Sequence, residues 1–183
     1  MWNSGESKYV SPSSTPHQAH RLTISLSQQS ITNDTTPLPP PAPTAQEDED
    51  LFATDPWIEP PIRIDYGTNL HLGENVFINF NATILDTCAV RIGARTLLAS
   101  NVSLFSGTHP LDPEVRNGTQ GPESGGEIEI GEDCWIGGNV TILPGIRVGR
   151  GSVVGAGSVV TKVSALSLEM RVRSRRCVLM FFP

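Results

Sequence analysis

From Tyr66 onward the chain repeats itself with a period of six residues, and a short fixed period of this kind specifies a solenoid rather than a layered domain. With a branched or aromatic apolar residue as position one, the register runs Tyr66, Leu72, Ile78 and Ile84. After two extra residues it continues through Ile92, Leu98 and Leu104, and after a longer insertion through Ile130, Ile136, Ile142, Val148, Val154 and Val160. The fifth position is small, β-branched or apolar: Leu70, Val76, Ala82, Cys88, Thr96, Val102, Thr108, Cys134, Val140, Ile146, Ser152, Ser158 and Ser164. Positions one and five can therefore both point inward on short strands. Position four reads Asn69, Asn75, Asn81, Thr87, Arg95, Asn101, Gly107, Asp133, Asn139, Gly145, Gly151 and Gly157, ten of the twelve being Gly, Asn or Asp. Those residues enter the left-handed backbone region at least cost, so the pattern demands a sharp turn in every unit. Three flat faces of about 18 residues close one triangular coil, and stacked coils bury a core that no single repeat can bury alone. The expected fold is a parallel β-helix.

This register absorbs several apparent motifs. The Asn-x-Ser/Thr sequences at Asn81, Asn101 and Asn139 are turn asparagines rather than glycosylation acceptors; two more stand at Asn33 and Asn117. Cys88 and Cys134 fall at inward fifth positions, where a thiol acts as a small hydrophobe. With Cys177 they form no CxxC pair and no even framework, which places the chain in a reducing, cytoplasmic setting.

Composition excludes further classes. Charged residues make up 17% and aromatics 6%, beside 17 Gly and 15 Pro, a poor recipe for a helical bundle. The net charge of −6 argues against nucleic acid. There is no apolar run long enough to span a membrane and no secretory leader pattern. Residues 1–50 are rich in Ser, Thr, Pro and Gln, contain Pro37-Leu38-Pro39-Pro40-Pro41-Ala42-Pro43, and end in Glu47-Asp48-Glu49-Asp50. They are expected to be a disordered leader, with 51–65 a lead-in to a β-helix over 66–162.

The insertion, residues 106–127, opens with Ser106-Gly107-Thr108-His109-Pro110-Leu111-Asp112-Pro113. A long loop inside a regular solenoid is a functional candidate. An imidazole, with an ordinary pKa of about 6.5, can accept a proton at neutral pH. His109 at the loop base fits that role, and it fits equally well as a residue that merely caps the loop.

The segments Trp57-Ile58-Glu59-Pro60-Pro61, Asn79-Phe80-Asn81, Thr108-His109-Pro110-Leu111-Asp112-Pro113, Cys134-Trp135-Ile136-Gly137-Gly138 and Gly155-Ala156-Gly157-Ser158-Val159-Val160-Thr161-Lys162 resemble the maltose and galactoside O-acetyltransferases and their nodulation-factor relatives. The resemblance covers Trp57 to Lys162. It implies a left-handed β-helix, a homotrimer, and acetyl-CoA bound between subunits as co-substrate, with no metal. It further implies that His109 is the general base in direct acetyl transfer to a sugar hydroxyl. By the same resemblance Asn79, Asp86 and Trp135 contact the acceptor, and Gly138, Ala156, Thr161 and Lys162 line the CoA groove.

Two departures stand out. Phe77 occupies a position where the family often carries a tyrosine near the acceptor. After Lys162 the family pattern stops, and Val163 breaks the position-four rule. Because Val163-Ser164 can be encoded by an intron donor sequence, the 163–183 tail reads as translated unspliced sequence or a mispredicted exon. A coil capped only by such a tail is expected to leave a strand edge unpaired and activity weakened. A catalytically silent trimeric scaffold is thus a second reading. A zinc-type carbonic anhydrase on the same solenoid is a third, but it needs three histidines and only His71 and His109 fall within the repeats.

Overall fold

The computed structural model describes residue 40, residues 42–161 and residues 179–180. The leader up to residue 39, Lys162, and the tail 163–178 with Cys177 lie outside the described residues. The end of the leader is helical: α1 (Ala45–Asp50) starts in a capping box. There the Glu47 N–H donates to Thr44 Oγ1 at 3.2 Å while Glu47 Oε2 accepts from the Thr44 N–H at 3.2 Å. Phe52 is then buried, and the Thr54 carbonyl accepts from the Asn75 N–H at 2.7 Å, seating the lead-in on the first coil.

Five coils follow. The first holds β1 (Trp57–Ile58), β2 (Ile62–Ile64) and β3 (Leu70–Leu72), and the second β4 (Phe77–Ile78), β5 (Ala82–Leu85) and β6 (Val90–Ile92). The third holds β7 (Leu97–Leu98) and β8 (Ser103–Phe105), then the inserted hairpin β9 (Gly107–Thr108) and β10 (Ser124–Gly125), then β11 (Ile128–Ile130). The fourth holds β12 (Trp135–Ile136), β13 (Thr141–Ile142) and β14 (Arg147–Val148); the fifth holds β15 (Val153–Val154) and β16 (Val159–Val160). Stacking in register gives three parallel sheets: sheet A from β1, β4, β7, β12 and β15; sheet B from β2, β5, β8, β13 and β16; sheet C from β3, β6, β11 and β14. A further strand, β17 (Leu179–Met180), pairs antiparallel with β15. The edge of sheet A expected to be bare therefore has a backbone partner.

The inward positions form stacked columns, for example Ile78 on Leu98 and Leu98 on Ile136. Every position-one residue from Leu72 to Val160 is buried, and each such side chain contributes about 1.5–3 kcal/mol. Hydroxyls at fifth positions are satisfied locally, as Ser152 Oγ donates to the Gly149 carbonyl at 2.6 Å and Ser158 Oγ to that of Gly155 at 2.7 Å. Nine of the twelve turn positions have positive φ, including Asn81, Asn101 and Asn139 near 60°. These three sequons are turn residues, as the repeat required.

Four further expectations are corrected, and these four come from one corner. Tyr66 is not inward but exposed; Ile64 takes its column by pairing with Ile84. The solenoid accordingly begins at Trp57, not at Tyr66. Cys88 is only partly buried, because Val90 fills the inward fifth position, and Thr108 is exposed on β9. Counting six forward from the fifth position Ala82 lands on Cys88, whereas the corner between sheets B and C is two residues wider in the first two coils. The turn positions without positive φ, Asn69, Thr87 and Gly107, are the three at this widened corner.

Candidate functional site

The widened B–C corner creates an extra inward position, occupied by Asp86 in coil 2 and Ser106 in coil 3, both fully buried. Asp86 spends both carboxylate oxygens on backbone, accepting from the Tyr66 N–H at 2.8 Å and the Asn69 N–H at 3.0 Å. It ties coil 1 to coil 2 and presents no free oxygen at the surface. Ser106 does the same work one coil on, its Oγ accepting from the Cys88 N–H at 2.8 Å.

Directly after Ser106 the chain leaves the solenoid. Gly107 and Thr108 pair antiparallel with Gly125 and Ser124, so the insertion departs and returns as a two-stranded stalk. Its crown folds on local chemistry. Asp112 caps α2 (Pro113–Arg116), its Oδ1 accepting from the Glu114 N–H at 2.9 Å, with Pro113 at the first helical position. Asn117 ends that turn at φ 39°, and Arg116 Nη1 donates to the Pro110 carbonyl at 3.2 Å. The Pro-Leu-Asp-Pro run thus builds the loop and leaves Leu111 93% exposed. His109 is exposed at the end of the stalk, and no hydrogen-bond partner for its imidazole is found among the described residues.

The other candidates fall on two edges flanking sheet B. Asn79, Gly138 and Ala156 stand at the A–B corner in coils 2, 4 and 5, while Thr161 is exposed at the B–C corner of coil 5. Asn79 Oδ1 accepts from the Phe80 N–H at 2.8 Å, which leaves its NH2 group for a ligand. Trp135 is 54% exposed on the outer face of sheet A, between Leu97 and Val153. A Cβ on Gly138 would meet only the Ser100 carbonyl, at 3.4 Å. Packing among the described residues therefore does not require glycine there. His109 follows the B–C corner of coil 3, whereas Trp135 lies on sheet A in coil 4.

Sequence reasoning missed Ser106; the signal for it was the polar residue two places beyond position one, shared with Asp86. It also missed the outer face of sheet C. There His71, Arg91, Glu129 and Arg147 form a cross-strand ladder beside a shallow groove of about 840 Å³ that contains none of the candidate residues. Around the next corner Arg95 Nε donates to Asp133 Oδ1 at 2.7 Å, and this hydrogen bond holds the Asp133 carboxyl below its usual range. Burial pushes the Cys134 thiol up. Among the described residues no cluster of three or more His, Cys, Asp or Glu side chains is placed to hold a metal, and no helix is long and apolar enough to cross a membrane.

Comparison with known proteins follows the solenoid. Residues 127–162 match the bacterial transferase hexapeptide family of six repeats. The galactoside O-acetyltransferase of Escherichia coli K12 is 44% identical over 117 residues, covering 62% of this chain and 57% of that protein. The chain spans about half the length of the curated relatives it matches. Among solved structures, a maltose O-acetyltransferase from Clostridium difficile 630 superposes with a TM-score of 0.61 at 30% identity, over 96% of this chain and 92% of its own. A galactoside acetyltransferase in complex with coenzyme A superposes with a TM-score of 0.59 at 34% identity, over 85% of this chain and 78% of its own. The chain belongs to the maltose and galactoside O-acetyltransferase family of hexapeptide-repeat proteins.

Proposed function

We propose that the chain is a cytoplasmic, acetyl-CoA-dependent O-acetyltransferase that acts on a hydroxyl of a sugar-like acceptor, as a homotrimer. The observation that carries this reading is His109, exposed and without a side-chain partner among the described residues, on a loop that interrupts the solenoid. As general base, a ring nitrogen of His109 takes the proton from the acceptor hydroxyl while the hydroxyl oxygen attacks the thioester carbonyl carbon. The carbon–sulfur bond breaks, the acetyl group passes directly to the acceptor oxygen, and the departing CoA sulfur recovers the proton. With no acyl-enzyme step, holding both substrates in line supplies much of the rate enhancement.

The separation of the candidates on two edges of one chain supports the trimer, because a neighbouring copy can set its A–B edge against the B–C edge that carries His109. Gly138 and Ala156 would then let the CoA arm approach the backbone closely, with Thr161 and Lys162 near its phosphates. The Asn79 amide and the Trp135 ring would face the acceptor. Asp86 supports the acceptor region through the corner backbone it holds.

The test is release of free CoA thiol from acetyl-CoA across a panel of sugars, comparing the chain with His109→Ala. Acceptor-dependent release that disappears in the variant supports the reading. A folded trimer with no release points instead to a silent scaffold, and a monomer with full activity removes the intersubunit site.

A further inference from the structure

No side chain among the described residues holds the His109 imidazole, so its position is inherited from the backbone on which it rides. That backbone has two feet, and both stand on Ser106. On the outgoing side the Ser106 N–H donates to the Leu85 carbonyl at 3.0 Å, and its buried hydroxyl lies 2.8 Å from the same carbonyl and 3.0 Å from that of Cys88. The hydroxyl also accepts from the Cys88 N–H, so it locks the corner of coil 2 beneath the loop. On the returning side the Gly126 N–H donates to the Ser106 carbonyl at 2.9 Å. Gly125 is pressed onto the same spot: a Cβ there would stand 2.5 Å from the Ser106 carbonyl oxygen and 2.6 Å from Cys88 Sγ. Only Gly107 and Thr108 separate this junction from His109.

We propose that Ser106 is a positioning residue for His109, its buried hydroxyl and carbonyl fixing both feet of the loop that carries the base. The proposal rests on the acetyltransferase reading for its kinetic half and on geometry alone for its anchoring half. Removing the hydroxyl takes the side-chain acceptor from the part-buried Cys88 N–H and frees the corner under the stalk. A small displacement of a catalytic group lowers the rate of the chemical step more than it weakens binding of a substrate held elsewhere.

Ser106→Ala, Ser106→Thr and the control Ser158→Ala are compared in the full chain by kcat, by KM for acetyl-CoA and by hydrogen exchange. Ser158 is a buried serine whose hydroxyl makes one backbone bond, in the fifth coil, two beyond the loop. The expected result is a kcat lowered about tenfold or more in Ser106→Ala with KM within about twofold, rescue in Ser106→Thr, and unchanged kcat in Ser158→Ala. Faster exchange at residues 107–109 and 124–126 should appear in Ser106→Ala alone. Unchanged kcat in Ser106→Ala, or an equal loss in Ser158→Ala, overturns the proposal. Should Ser106→Ala fail to fold, Gly125→Ala lifts the returning foot and should give the same split of kcat from KM; an unaltered kcat there overturns it too. If the unmodified chain transfers no acetyl group, the functional reading fails by itself. Exchange then decides the anchoring, which stands if the two feet loosen in Ser106→Ala and falls if they do not.

Discussion

Beyond the first coil's A–B corner, the C–A and A–B corners turn the chain with one left-handed residue each, while the B–C corner of the first three coils turns it with extra residues and, in the second and third, a buried polar side chain. The first kind is built from Asn75, Arg95, Asp133 and Gly151 on one edge and Asn81, Asn101, Asn139 and Gly157 on the other, all at positive φ. The second kind uses Asp86 and Ser106, each satisfied by backbone of the neighbouring coil. A tight corner can only close the solenoid. A wide corner creates a polar interior position and an exit for the chain, and the candidate base stands at that exit.

The sharpest break of this comparison is His109→Ala, expected to lower turnover by about 10²–10⁴-fold while leaving the thermal midpoint unchanged. A matching fall in midpoint would mean that the loop is structural. The reverse pattern is expected inside the coils, where Ile142→Ala should cost about 2–5 kcal/mol in urea unfolding because the stacked column cannot collapse around the void. Leu111→Ala, at the exposed crown, should leave unfolding unaltered.

A smaller effect separates the two kinds of corner directly. Asn139 has φ 57°, so Asn139→Ala should cost about 1–2 kcal/mol, whereas Thr87→Ala at the widened corner escapes that backbone penalty. Equal losses would erase the distinction. Thiol labelling, mapped by peptide, should modify the partly buried Cys88 well before Cys134, which is buried and whose thiol is pushed up so that little thiolate exists at neutral pH. The smallest effect belongs to the exposed Arg95–Asp133 pair. Its contribution is present above the unfolded carboxylate pKa and is lost as pH falls through the depressed folded value. Arg95→Gln should therefore lower the midpoint slightly at neutral pH and low salt, and the two proteins should converge in acid or in high salt.

Much of this was legible in residue order because a solenoid writes its inward positions at a constant interval. Leu72 through Val160 fell in register, and Asn or Gly marked the tight corners for the plain reason that few other residues accept the backbone they require. Arg95 is the exception, unreadable from turn preference and held at φ 59° beside Asp133 and Glu132. The errors at Tyr66, Cys88 and Thr108 arose where the interval changes. Apolar pairs spaced by two, such as Ile62 with Ile64 and Val90 with Ile92, mark the strands there better than any count from the preceding coil. Handedness came from the family resemblance, since a period of six is indifferent to it. The candidate base was visible as the histidine of an interruption. Its anchor was not, because a buried serine looks like any other until its partners are known.

The widened corner also bears on how such a protein can diverge. The first two coils take up two surplus residues there and the third takes up a whole loop, yet the strands on either side resume the same stacking. Length added at that port is not passed on to later coils, and doubling a flexible loop costs only about 0.6 kcal/mol in closure entropy. New surface segments can be grafted at this point as cassettes, leaving the load of stability on coils that never register the change.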